Sequence, residues 1–195
     1  MTEFVLQMQC SRDGYIASAD GGFYWMWNCG DAEWPWDLVL KDRFNAAFRA
    51  ADAILLSRPM LEEGYLAHWG GEADRNPHDP DFDFARRITQ TAKIVPTARS
   101  IQASQPDVAV THAALPEIIL NEIHAGRSLI CFGGAGLARA LITARLPDRI
   151  EFYVNPVTLG DGVSLGRAGF DIDGYAIAKT QDYACGMQVT VLMRN

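Results

Sequence analysis

Apolar and polar residues alternate from Phe4 to Cys10, the period of a strand, and Ser11-Arg12-Asp13-Gly14 follows as turn chemistry. Pro35 fits the first turn of a helix, and Leu40, Phe44, Ala47, Phe48 and Ala51 then recur on one helical face. The short apolar run Ala53 to Leu56 predicts a strand. Arg58-Pro59-Met60-Leu61-Glu62-Glu63 restarts a helix directly after it, with Pro59 in the first turn. Residues 68 to 83, with Gly70, Gly71, Pro77, Pro80 and many charges, read as a surface insertion.

Beyond the insertion the pattern predicts a helix at Phe84 to Thr91 and strands at Lys93 to Pro96 and Val108 to Thr111. A helix at Pro116 to Ala125, a strand at Ser128 to Phe132 and a helix at Leu137 to Ala144 follow. Such alternation argues for a largely parallel sheet flanked by helices. The chain then turns to strands alone: Arg149 to Val157, and an antiparallel hairpin of Tyr175 to Tyr183 with Met187 to Met193. The expected fold class is α/β, a mixed and mainly parallel sheet with helices on both faces and a C-terminal antiparallel hairpin. Residues 1–195 are expected to form one domain.

Composition narrows the function. Apolar residues make up 49% of the chain and charged ones 21%, an ordinary globular balance. A net charge of −7 without clustered Lys and Arg argues against nucleic acid. Cys10, Cys29, Cys131 and Cys185 stand far apart with no zinc-ligand spacing and read as reduced thiols. Met1 to Cys10 has no signal-peptide pattern, and no run approaches the ~18 apolar residues of a membrane helix, so the expected location is the cytoplasm. The expected partners are a small-molecule substrate and a second copy of the chain in a homodimer.

Leu129 to Ala138 carries the strongest local chemistry: a buried strand running through Gly133-Gly134-Ala135-Gly136 into a helix. Absent side chains let a pyrophosphate approach the backbone, and free N–H groups with the helix dipole favour its charge. A tight strand-to-helix turn without a ligand is the alternative. The run is not a Rossmann fingerprint, which belongs to the first βα turn, and no Gly-Lys-Ser or Gly-Lys-Thr marks a P-loop.

Several segments together resemble the dihydrofolate-reductase-like family, and within it the reductase domain at the C-terminus of the bifunctional riboflavin-biosynthesis deaminase/reductase. Ser11-Arg12-Asp13-Gly14-Tyr15-Ile16-Ala17 is similar to the family's S-x-D-G-x-I-A turn, and Ala51-Asp52-Ala53-Ile54-Leu55-Leu56-Ser57-Arg58 to its A-D-A-x-L-x-G-R segment. Lys93 to Ser100 resembles K-x-V-x-S-x-T, and Phe132-Gly133-Gly134-Ala135 the late G-G motif. Leu146-Pro147-Asp148-Arg149-Ile150 and Asn155-Pro156-Val157-Thr158-Leu159-Gly160 resemble the closing L-x-D-E-x and P-V-x-L-G pieces. These matches run in the family's order over nearly the whole chain.

The resemblance implies a three-layer reductase fold holding NADPH. It places nicotinamide near Ile16 and Ala17, and pyrophosphate on Gly133, Gly134, Ala135, Gly136 and Leu137 and on the helix start at Ser57, Arg58 and Pro59. The adenosine 2′-phosphate falls near Arg58 and Thr97, a guanidinium fork and a hydroxyl. The chain departs from the pattern where the family has G-R-x-T: Ser57 and Met60 replace the close-approach glycine and a phosphate-binding hydroxyl.

Folate reductases carry a pocket Asp on the helix before the G-R strand. Counting back from Ser57 reaches Lys41, with Asp42 facing water and Asp37 near the Phe44 and Phe48 face, so Asp37 is the candidate catalytic carboxylate. The other reading of Asp37 is an acidic residue in a helix's first turn. Trp25, Trp27, Trp34 and Trp36 offer stacking surface for a planar heterocycle, Trp36 foremost; a lid or dimer contact is the alternative. His68, His78, His112 and His124 show no paired spacing, and no metal is expected.

The expected reaction is hydride transfer from nicotinamide C4 to a C=N or C=O carbon of a small planar substrate, in a cleft at the C-terminal edge of the sheet. The deaminase zinc signature is absent from the sequence, which points to an unknown substrate. The alternatives are a catalytically inactive dimeric ligand-binding relative and a true dihydrofolate reductase.

Overall fold

The computed structural model describes residues 2–26, 36–101, 103, 105–166 and 170–195. Its main sheet has eight strands in the order β5-β4-β3-β6-β1-β7-β10-β9. They are β1 (Phe4–Cys10), β3 (Ala53–Leu55), β4 (Ala92–Pro96), β5 (Val108–Thr111), β6 (Leu129–Cys131), β7 (Arg149–Val154), β9 (Tyr175–Asp182) and β10 (Gln188–Arg194). All pairings from β5 to β7 are parallel, and β10 runs antiparallel to both β7 and β9. Two short strands absent from the sequence reading, β2 (Tyr15–Ala17) and β8 (Val163–Ser164), pair outside the main sheet.

Alternation in β1 sorts the core into two layers. Phe4, Leu6, Met8 and Cys10 face α5 (Leu115–His124) and α6 (Ala135–Thr143), through Ile118, Ile119, Ala138 and Leu141. On the other side Phe48 of α1 (Leu38–Ala50), Trp69 of α3 (Tyr65–Arg75) and Phe84 of α4 (Asp83–Gln90) cover Ile54, Val95 and Ile130. The central strands β3 and β6 are buried throughout, as strands covered on both faces must be.

The short helix α2 (Arg58–Glu62) leaves β3 toward the α1 layer, while α6 leaves the neighbouring strand β6 toward the opposite layer. A crevice opens where adjacent parallel strands send their connections to opposite faces, at their carboxyl ends. Gly133 and Gly134 lie at that point.

The expected surface insertion at 68–83 is corrected: its first half is α3, with Trp69 and Ala73 buried, and a 3₁₀ turn at Pro80–Phe82 leads into α4. Tyr65, Trp69 and Ala73 form an i, i+4, i+8 stripe, and Trp69 packs edge-on to Phe84 with centroids 4.6 Å apart. Tertiary packing overrides the low helix propensity of Gly70 and Gly71.

A methyl group on Gly70 would meet only Thr89 Cγ2 at 3.8 Å, an ordinary contact. Gly70→Ala is therefore expected to stabilise the protein by about 0.5–1 kcal/mol, read as a rise in the urea midpoint at unchanged slope. A lower midpoint would contradict this packing.

Candidate active site

The family-like polar motifs turn out to clip backbone segments around the crevice. Asp13 accepts hydrogen bonds from Ser11 Oγ at 2.6 Å and from the N–H groups of Leu159 and Gly160 at 3.2 and 2.7 Å. It thereby ties the turn after β1 to the segment after β7 and fixes the approach to Ile16 and Ala17. Asp52 accepts from Ser128 N at 2.8 Å, holding the start of β3 beside β6. Asp148 accepts from Phe4 N at 3.0 Å and pairs with Arg194.

Two cavities meet at the crevice, and Ser57 and Pro59 belong to both. The first, about 420 Å³, is walled by aromatic rings of α1, α3 and α4 and floored by Gln7, Met8 and Gln9 of β1; Ile16, Ala17, Trp36, Gly133, Gly134 and Ala135 complete it. The second, about 450 Å³, is lined by Arg58, Thr97, His112, Ala114 and Leu137 among others. The sequence candidates thus divide: Ile16, Ala17, Trp36 and the glycine turn on one side, Arg58, Thr97 and Leu137 on the other, Ser57 and Pro59 between them. Gly136, in the first turn of α6, lines neither cavity.

The boundary between the two cavities is a close contact between turns. A methyl group on Gly134, whose φ is +82°, would stand 2.4 Å from Ser57 Cβ, and one on Gly133 would stand 2.6 Å from Met60 Sδ. The two residues that depart from the family pattern are therefore the ones packed on the glycine turn. Ser57 is only 5% exposed, and among the described residues its hydroxyl has no hydrogen-bond partner, a costly state for a buried donor. Ser57 precedes α2, Gly134 precedes α6 and Ala114 precedes α5, and among the described residues none of these helix starts has a side-chain cap. Their first N–H groups are left for another acceptor.

In the second cavity Arg58 pairs with Glu62 one turn along α2. Such an exposed pair contributes about 0.3–0.5 kcal/mol and is readily exchanged for a stronger anion. His112 Nδ1 lies 2.6 Å from the carbonyl oxygen of Thr97, so this nitrogen carries a proton and Nε2 is left facing other partners. Thr97 Oγ1 accepts from Arg99 N at 3.1 Å and keeps its own proton to donate.

In the first cavity Tyr65 lies between Phe132 and Trp69, and burial pushes its phenol pKa upward, so it stays protonated. Trp36 stacks on Tyr153 with centroids 5.5 Å apart and 13° between planes. Asp37 takes another task. Its Oδ1 accepts from Leu40 N at 2.9 Å as the N-cap of α1, its Oδ2 faces Cys185 N at 3.4 Å, and it lines neither cavity. Of the four tryptophans in the aromatic loop, Trp25 lines neither cavity, and Trp27 and Trp34 lie outside the described residues.

Sequence reasoning missed Gln7, Tyr65 and His112. Gln7 had a visible signal, a polar residue at the centre of an otherwise apolar strand. The cluster of Phe44, Phe48 and Phe84 read only as core, because helical spacing marks an inward face without saying whether it is filled.

The sheet order and the crevice define an α/β protein of the dihydrofolate-reductase-like fold. The family model for the RibD C-terminal domain matches residues 3–189, and the chain belongs to that family. It is 26% identical over 157 residues to riboflavin biosynthesis protein RibD of Corynebacterium ammoniagenes, across 78% of this chain and 42% of that protein, so it spans less than half the length of this relative. Among solved structures, a riboflavin biosynthesis protein from Shewanella superposes with a TM-score of 0.70 at 17% identity, covering 100% of this chain and 99% of that one. A Thermotoga maritima protein described as a diaminohydroxyphosphoribosylaminopyrimidine deaminase/5-amino-6-(5-phosphoribosylamino)uracil reductase gives 0.65 at 12% identity, covering 100% of this chain and 57% of that one.

Two substitutions test the local physics. Gly134→Ala forces an L-residue to positive φ against Ser57 Cβ and is expected to cost more than about 1–2 kcal/mol in urea unfolding, with the double variant Ser57→Gly/Gly134→Ala recovering part of the loss. Asp37→Ala is expected to cost about 1 kcal/mol at neutral pH through loss of the cap. The Leu40 N–H holds the Asp37 carboxyl below its usual range. The stabilisation is thus present above the unfolded value of about 3.9 and is lost as pH falls through the folded one, so parent and variant should converge in acid. A difference that persists unchanged at low pH would contradict the capping role.

Proposed function

We propose that this chain is an NADPH-dependent reductase that directs hydride to a C=N or C=O carbon of a small planar substrate. The observation that carries the reading is the boundary between the cavities: a buried Ser57 hydroxyl and helix starts that find no side-chain partner among the described residues, between a cavity carrying Arg58, Thr97 and His112 and an aromatic one. A dinucleotide has that division of character, with an anionic centre, a phosphorylated adenosine end and a planar redox end. NADPH, when bound, supplies the hydride.

The residues of the chain fit the three parts. Ser57 Oγ, the Gly134–Ala135 backbone and the α6 N-terminus would hold the pyrophosphate, the hydroxyl at 57 serving where the family pattern has one at 60. Arg58 and Thr97, with His112 beside them, would hold the adenosine phosphate. Ile16, Ala17 and the aromatic wall would orient the nicotinamide and substrate and keep water out. Tyr65, kept protonated by burial, would donate a hydrogen bond to the heteroatom of the bond being reduced. Residues with this division of labour and a reductase-domain family support an oxidoreductase over an inactive binding protein. A true folate reductase is disfavoured because the Asp37 carboxylate is held by backbone N–H groups.

Titrating NADPH while following tryptophan fluorescence is expected to give saturable quenching at roughly micromolar cofactor. Arg58→Ala should weaken NADPH about tenfold and leave NADH nearly unchanged, because only NADPH carries the extra phosphate. Ser57→Ala should weaken both cofactors by a similar factor of about 2–10. Absence of quenching up to millimolar cofactor would reject the reading.

A further inference from the structure

We propose that His112 sets the second cavity's preference for a phosphorylated adenosine end and makes that preference depend on pH, its imidazolium standing as a second cation beside Arg58. The inference rests on the reductase reading in taking this cavity as the one for the adenosine end. β3, β4 and β5 are neighbouring parallel strands, and Arg58, Thr97 and His112 follow their carboxyl ends in turn and line the cavity. The backbone on both sides of His112 is held: Thr97 N donates to the Thr111 carbonyl at 3.0 Å, and Ala113 N to Thr111 Oγ1 at 3.1 Å. The ring itself is held through one nitrogen, Nδ1, 2.6 Å from the Thr97 carbonyl oxygen. A carbonyl only accepts, so Nδ1 keeps its proton in both charge states of the ring, and Nε2 is the atom that gains or loses one. His112 is exposed, so that proton exchanges with solvent.

Among the described residues that line this cavity, Arg58 and His112 are the charged or titratable side chains. The elements around His112 carry three more: Glu62, paired with Arg58 on α2, Arg99 beyond Thr97, and Glu117 in the first turn of α5. None of the three lines the cavity, and α6 presents Leu137 to it. Arg58 and Arg99 oppose a second positive charge at His112, and the two carboxylates favour one. A phosphate dianion between Arg58 and His112 tips this balance toward the imidazolium, so binding takes up a proton. The sign follows: a group that holds its proton more tightly in the complex makes affinity rise as pH falls toward the imidazole range. Below about pH 6 the phosphate takes up its own second proton and the gain ends. A dinucleotide with a plain ribose hydroxyl at this position brings no charge and gains nothing from the imidazolium.

Calorimetric titrations of the full chain with NADPH, NADH and adenosine 2′,5′-bisphosphate, at about pH 6.5 and about pH 8 and fixed ionic strength, test this. NADPH is expected to bind about fourfold more tightly at the lower pH, NADH about equally at both, and the bisphosphate to follow NADPH. His112→Asn keeps an N–H donor for the Thr97 carbonyl and has no charge to gain. It should bind NADPH within about twofold of the parent at the higher pH and lose the gain at the lower one. Should that variant not fold, the heat of NADPH binding near about pH 7 in two buffers of unlike ionisation enthalpy decides on the unaltered chain: net proton uptake supports the inference, and release or no exchange overturns it. A gain that survives in His112→Asn, or a constant ratio of NADPH to NADH affinity in the parent, overturns the inference and leaves the reductase reading standing. A chain that binds NADPH at neither pH rejects the reductase reading. The bisphosphate then decides alone: tighter binding at low pH that His112→Asn abolishes supports the role of His112, and no binding or unchanged binding overturns it.

Discussion

Everything around the site depends on how closely two turns approach each other at the carboxyl ends of β3 and β6. The strands are neighbours in the sheet, so the backbone after Leu55 and the backbone after Cys131 must part within one strand spacing. Gly134 has no Cβ, and Ser57 fills the space one would need. That contact fixes where α2 and α6 begin, and the helix starts in turn fix where unpaired N–H groups face. A larger residue on either turn would spread the crevice and lose the boundary between the two cavities.

The acidic residues of the family-like motifs support that geometry from outside the two cavities. Asp13 joins the turn after β1 to the segment after β7, Asp52 joins β3 to the strand start at Ser128, and Asp148 joins β1 to the C-terminal strand region. Asp52 and Asp148 accept backbone N–H groups at strand starts, and Asp13 accepts those of the loop residues Leu159 and Gly160. Their spacing along the chain therefore marks the fold.

The layer under α1 carries a different constraint. Glu151 is buried beneath Arg43, and Tyr153 passes the polarity of that pair inward to Gln7. Trp36 lies flat on Tyr153, so the aromatic wall and the hydrogen-bonded floor are packed as one unit.

Much of this was legible from residue order alone. Alternation in β1, the helical face through Phe44 and Phe48, and the glycine run after Ile130 give strand, helix and turn, because these depend on neighbours a few positions apart. The sequence by itself determined the α/β class, the family and the glycine-rich turn, where missing side chains leave the backbone open. Only the tertiary structure decided the rest. It turned residues 68–83 from a breaker-rich stretch into α3, since the packing of Trp69 on Phe84 outweighs two glycines. It made Asp37 a helix cap, since the N–H of Leu40 lies within reach. It also set Ser57 against Gly134, because that contact joins residues 77 positions apart that meet only when β6 enters the sheet beside β3.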